Sequence, residues 1–160
     1  MNRRSVLLAT ALMLGISLLG GISLAQAQQA NEAAVKSAID AYHSALGSLD
    51  AKKMAGLWAH LPYAVLINPS DKAISVGWAD VNKNWEDTFN TYSELKVTQS
   101  DGPYIHIKGN TAWASGIASA TGSLKSGVSF NNSLTYELDV FEKFGRQWFL
   151  VSHSAVRVPK

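Results

Sequence analysis

Apolar and polar positions follow two rhythms along this chain. Val35, Ile39, Tyr42, Leu46 and Leu49 recur at steps of three and four, the spacing that lines one face of an α-helix. Lys36, Asp40, His43 and Ser44 fall on the other side, where solvent is expected. With Asn31 as a start signal and Gly47 as a stop, the spacing predicts a helix over residues 31–46. Asp50 is a cap for a second helix, with Met54, Leu57, Trp58 and Leu61 on its apolar face and Pro62 beyond its end. A short apolar strand is predicted over 63–68, stopped by Pro69, and another short extended piece over 74–77. Asp80 is a cap for a third helix, in which Val81, Trp85 and Phe89 keep the helical period.

After Tyr92 the period changes to two, which predicts strands over 95–100, 103–108, 111–124, 128–144 and 147–158. Gly109-Asn110, Lys125-Ser126-Gly127 and Gly145-Arg146 supply tight turns between them. Long strands joined by tight turns make an antiparallel meander. The plan is α+β: three N-terminal helices packed on a curved antiparallel sheet, with a conical cavity between the layers. Ala112, Ala114, Gly116, Ala118 and Ala120 share one strand face, where small side chains permit bending and close approach.

The first segment has a different character. Met1-Asn2-Arg3-Arg4 is basic, residues 6–25 are largely apolar, and Ala25-Gln26-Ala27 is a small-x-small cleavage pattern. That order is expected of a secretory leader over 1–27, cut after Ala27, leaving one domain over 28–160 in a periplasmic or secreted compartment. An uncleaved anchor is the competing reading, weakened by the glycines, alanines and serines in the stretch. Loss of Arg3 and Arg4 takes Lys+Arg from 14 to 12, equal to the 12 Asp+Glu. A neutral mature domain lacks the electrostatic footprint of a nucleic-acid binder, and after cleavage no membrane partner is expected. The absence of cysteine excludes disulfides, thiolate nucleophiles and zinc ribbons.

Three stretches carry a family likeness: Tyr42 with Leu49-Asp50 and Leu57-Trp58; Asn68-Pro69 followed by Val76-Gly77-Trp78 and Val81, Trp85, Phe89; and Phe141 through Gly145-Arg146-Gln147-Trp148 to His153. In this order they resemble the nuclear-transport-factor-2-like superfamily and, within it, the SnoaL-like domains. The resemblance covers the mature chain. It implies a cone fold shared by isomerases, dehydratases, cyclases and non-catalytic members, and a homodimer formed through the sheet face.

The resemblance to the ketosteroid-isomerase branch gives Tyr42 the role of hydrogen-bond donor to a developing oxyanion. A core aromatic is the plainer role for this side chain. That branch carries its general base where Asn68 stands; an amide cannot shuttle a proton, which leaves Asn68 to orient a ligand or to cap the turn at Pro69. Glu137 and Asp139 share a strand face with Thr135 and Phe141, while Leu134, Tyr136, Leu138 and Val140 share the other. If that mixed face lines the cavity, one of these acids is a buried group with a raised pKa, Asp139 as a catalytic partner of Tyr42 and Glu137 as a ligand contact; the cost of burying an unpaired carboxylate favours solvent or a subunit contact for both. His153 is the best placed of the four histidines for a catalytic part; His43, His60 and His106 are expected at the surface, and no metal-ligand spacing occurs. Trp58, Tyr63, Trp78, Trp85 and Trp113 are candidate walls for a small hydrophobic or aromatic ligand, with core packing as the alternative for each. No phosphate loop, nucleophile elbow or dinucleotide fingerprint is present, so no cofactor is implied.

Overall fold

The computed structural model describes residues 23–159. Most of the expected leader therefore lies outside the described residues, and the cut expected after Ala27 falls early in the first helix. That helix, α1, spans Leu24–Ser48 and begins earlier than its periodicity suggests. Ser23 forms a capping box with Gln26, each side chain taking the other's backbone N–H. Asn31 is interior to the helix, and its Oδ1 accepts from Lys143 Nζ at 2.6 Å. The helix also runs through Gly47; Leu49, at φ 52°, ends it in the left-handed region.

The second helix, α2, is a single short piece, Ala51–Ala55, capped as expected by Asp50, which accepts from the N–H groups of Lys52 and Lys53. Leu57, Trp58 and Leu61 lie beyond it, and Trp58 bridges to Leu150 instead. Strands β1 (Val65–Ile67) and β2 (Ser75–Val76) precede α3 (Trp78–Thr91). Asp80 sits in the first turn of α3 rather than at its cap, where a negative charge suits the helix dipole. The four long strands are β3 (Tyr92–Lys108), β4 (Thr111–Leu124), β5 (Ser129–Phe144) and β6 (Gln147–Arg157). The two strands expected on either side of Gly102 are one strand, bent at register shifts around Asp101.

The sheet order is β2-β1-β6-β5-β4-β3. The long strands form the antiparallel meander; β1 runs parallel to β6, with Leu66 opposite His153, so the whole sheet is mixed. A parallel pair needs a long crossover, and the path through α3 and four strands supplies it. The helices cover one face of this open, curved sheet. Val35, Ile39 and Tyr42 of α1 meet Val81, Trp85 and Phe89 of α3 over Ala112, Ala114, Phe141 and Leu150 of the sheet.

At Gly116, β4 lies close against β3. A Cβ there would lie 2.6 Å from the Asp101 carbonyl oxygen and against the Gln99 amide. Gly116→Ala should therefore lower stability by about 1–3 kcal/mol in urea unfolding. A variant as stable as the parent would show that the Asp101 bulge yields freely.

Candidate functional site

The inward face of β5 carries the chemistry. Thr135, Asp139 and Phe141 are buried, whereas Tyr136 and Leu138 are 51% and 47% exposed. The mixed face thus points into the protein and the apolar face points out, which reverses the solvated placement expected for Glu137 and Asp139. Each inward carboxylate has a partner, which removes most of the cost of its burial.

Register puts Asp139 directly opposite His153. Nδ1 of His153 lies 2.7 Å from Asp139 Oδ1. A carboxylate only accepts, so Nδ1–H donates and Nε2 is left as the second functional nitrogen, with no protein partner among the described residues. Glu137 pairs with His43, whose Nε2–H donates to Oε2 at 3.2 Å. His43 is buried, contrary to its expected place on the polar side of α1. Its signal was present in the sequence: it stands four residues after Ile39 and three before Leu46, so the buried stripe is wider than one row.

Tyr42 lies between these pairs. Its ring centroid is 4.9 Å from that of His153, 5.8 Å from His43 and 5.9 Å from Trp85. The hydroxyl makes no hydrogen bond to protein among the described residues. Burial first, then the charges of Glu137 and Asp139, hold its pKa well above the ordinary 10.0, so the phenol keeps its proton. For His153, burial works to lower the pKa. The Asp139 charge and hydrogen bond, with the charges of Glu137 and Asp71, outweigh it and leave the pKa above the ordinary 6.5. A proton-holding phenol beside an imidazole oriented by a carboxylate is an acid–base pair.

Asn68 is buried at the end of β1 and belongs to a polar network rather than to a ligand wall. Its Nδ2 donates to Asn84 Oδ1, and Asn84 donates to Asp71 and Ser75. Asp71 also accepts from the Asn68 backbone at 2.8 Å. Asp71 and Asn84 had no distinguishing sequence signal, because only the fold brings the β1–β2 loop against α3.

The aromatic candidates separate. Trp58 and Trp85 are core, and their Nε1 groups, like that of Trp148, are buried without an acceptor among the described residues. Trp78 is half-buried and stacks on His60 at 3.9 Å. Trp113 and Tyr63 face outward, Trp113 beside His106 on the outer sheet face and Tyr63 donating to Glu142 at 2.8 Å. They do not surround one cavity. Depressions in the surface of the described residues include a groove of about 480 Å³ between α1 and β3 and an apolar cleft of about 350 Å³ between the α2 region and Phe144 and Phe149. Among the described residues no cluster of three metal-ligating side chains occurs, and no helix is long and apolar enough to cross a membrane.

Helices laid on an open, curved sheet with a polar cluster inside define an α+β cone of the nuclear-transport-factor-2-like type. The chain belongs to the SnoaL-like domain family, whose model matches residues 35–157. It is similar to a nuclear transport factor 2-like superfamily protein from Salmonella enterica serovar Typhimurium, with 20% identity, TM-score 0.76, and 83% of this chain and 94% of that one covered. A candidate dehydratase of the same superfamily from Streptomyces avermitilis has 17% identity and TM-score 0.73, covering 82% and 99%. A ketosteroid isomerase-like protein from Erwinia carotovora atroseptica has 17% identity and TM-score 0.66, covering 80% and 96%. These likenesses establish the fold. No curated protein matches the chain. As a SnoaL-like fold it fits a small-molecule binding domain.

The raised pKa of His153 fixes the sign of a pH effect. The pair with Asp139 stabilises fully below about 6.5, the unfolded value, and its contribution is lost as pH rises through the raised folded value. Asp139→Asn should therefore cost roughly 1–3 kcal/mol near pH 6 and less near pH 9. Thermal unfolding at the two pH values measures this; an equal loss at both would mean that His153 is not charged in the native pair.

Proposed function

We propose that this domain is an exported acid–base enzyme acting on a small carbonyl compound, of the isomerase or dehydratase type. The observation that carries the reading is the buried His153–Asp139 pair beside the unpartnered Tyr42 hydroxyl. Above its raised pKa, where the imidazole is neutral, His153 Nε2 takes a proton from the carbon next to the substrate carbonyl. Tyr42 donates a hydrogen bond to the oxygen that gains charge. The imidazolium then returns its proton to a more distant carbon, which completes an isomerisation, or to a departing hydroxide, which leaves as water. Asp139 keeps Nδ1 protonated and so leaves Nε2 to act. His153 thereby takes the part that Asn68 cannot play. The leader over 1–27 gives the enzyme a periplasmic or secreted address. A passive aromatic pocket has less support, because Trp58 and Trp85 are packed and Trp113 and Tyr63 face solvent.

A panel of β-hydroxy ketones and β,γ-unsaturated ketones tests the reading, because both reactions yield a conjugated enone that absorbs in the near ultraviolet. Turnover is expected for at least one member. Tyr42→Phe should lower kcat by roughly 10²–10³ and Asp139→Asn by roughly 10²–10⁴. Silence across the panel, or variants as active as the parent, rejects the assignment.

A homodimer is the second reading, and the outer sheet face favours it. Trp113, Tyr136, Leu138 and Val156 are each 40–59% exposed on neighbouring strands, making a contiguous apolar surface. Sedimentation should give a dimer that Leu138→Lys converts to a monomer; a monomeric parent chain removes this reading.

A further inference from the structure

Tyr42, Asp139 and His153 are 1–3% exposed, so a substrate must approach them through some part of the wall. We infer that the groove between α1 and β3 is the docking site, that it takes an uncharged molecule bearing a hydroxyl or carbonyl group, and that His43 is the side chain through which this molecule meets the inner cluster. The inference rests on the acid–base reading of that cluster for its catalytic consequence, but not for the binding itself.

His43 carries the argument because it belongs to both places. It lines the groove, and its Nε2 is held by Glu137, which shares the inward face of β5 with Asp139 two residues on. It also adjoins Tyr42 along α1. The groove therefore ends on a side chain one hydrogen bond from the strand face that holds the catalytic pair. The apolar cleft has no such link; it is walled by Trp58, Leu61, Phe144 and Phe149 at another part of the molecule.

The lining sets the ligand class. Asp40 and Ser44 come from α1, and Lys96, Thr98 and Gln99 from β3. Asp40 is neutralised by Lys36 at 3.0 Å, and Lys96 is exposed to solvent without an ion-pair partner among the described residues. Asp40 is thus paired and Lys96 is hydrated and screened by solvent, so neither wall charge demands an oppositely charged ligand. Hydroxyl, amide and imidazole groups instead offer donors and acceptors over a base of Leu95 and Val97, which suits a compact ring or chain with one polar end. At about 480 Å³ the groove accommodates a small molecule.

The probe is para-hydroxyacetophenone, uncharged and carrying both polar groups, titrated into the purified exported protein while amide NMR shifts are recorded. Saturable shifts should cluster over residues 40–47 and 95–99. Ser44→Trp and Thr98→Trp, both at exposed positions and so tolerated by the fold, should each weaken binding about tenfold or more. Phe144→Ala in the other cleft should change affinity less than about twofold. Shifts confined to 55–61 and 144–149, an absence of saturable shifts, or full affinity in both groove variants would overturn the inference. Groove binding without any turnover on the ketone panel would retain the docking site and reject the enzyme. Turnover with kcat/KM unchanged in Ser44→Trp would do the reverse.

Discussion

The structure depends on how two carboxylates are kept inside an apolar shell. Asp139 and Glu137 occupy alternate positions on β5, so one choice of strand face buries both or exposes both. The fold buries both, and burial then dictates the surroundings. His153 must sit opposite Asp139 at 2.7 Å, and α1 must be rotated so that His43 reaches Glu137 at 3.2 Å. Once those pairs are fixed, Tyr42 is carried between them and α1 lies along β3 with the groove at its side. A shift of β5 by one residue would turn both acids out to solvent, leave His153 and His43 buried without their partners, and point Tyr136 and Leu138 inward.

That choice of face is also what the sequence conceals. Alternation shows that Thr135, Glu137, Asp139 and Phe141 travel together, but it does not say which way they point. By the ordinary hydrophobic rule, the row of Leu134, Tyr136, Leu138 and Val140 belongs inside. The rule fails here because inward acids have histidine partners far away in the chain, and outward apolar groups make a continuous surface with Trp113 and Val156. Partners separated by 94 and 14 residues leave no local pattern to read. By contrast, the hairpins were legible from Gly109-Asn110 and Gly145-Arg146, and β4 has the bounds its alternation implies. Turn chemistry is local, so a single sequence displays it. The helix ends were less legible: Leu49 adopts a left-handed conformation for which Gly47 was the more obvious candidate.

Aromatic content gave an equally partial picture. Five tryptophans suggest a ring-lined receptacle, yet the fold spends them in three ways. Trp58, Trp85 and Trp148 fill the core, Trp78 stacks on His60 at its margin, and Trp113 stands on the outer face. The polar network of Asn68, Asn84 and Asp71 underlies β1 and α3, and it accounts for an asparagine where the isomerase-like resemblance leads one to look for a base. The polar interior of this chain is thus built less from the abundant residue type than from a few titratable ones that the fold draws together.

The position of β6 has a consequence for biogenesis. It lies between β5 and β1, so the sheet has a gap at its middle until residue 157 has left the ribosome. The same strand supplies His153, and without it Asp139 would remain a lone buried charge. A nascent chain lacking this segment can neither close the sheet nor pair that acid, so the folded state is reached only once β6 has been made.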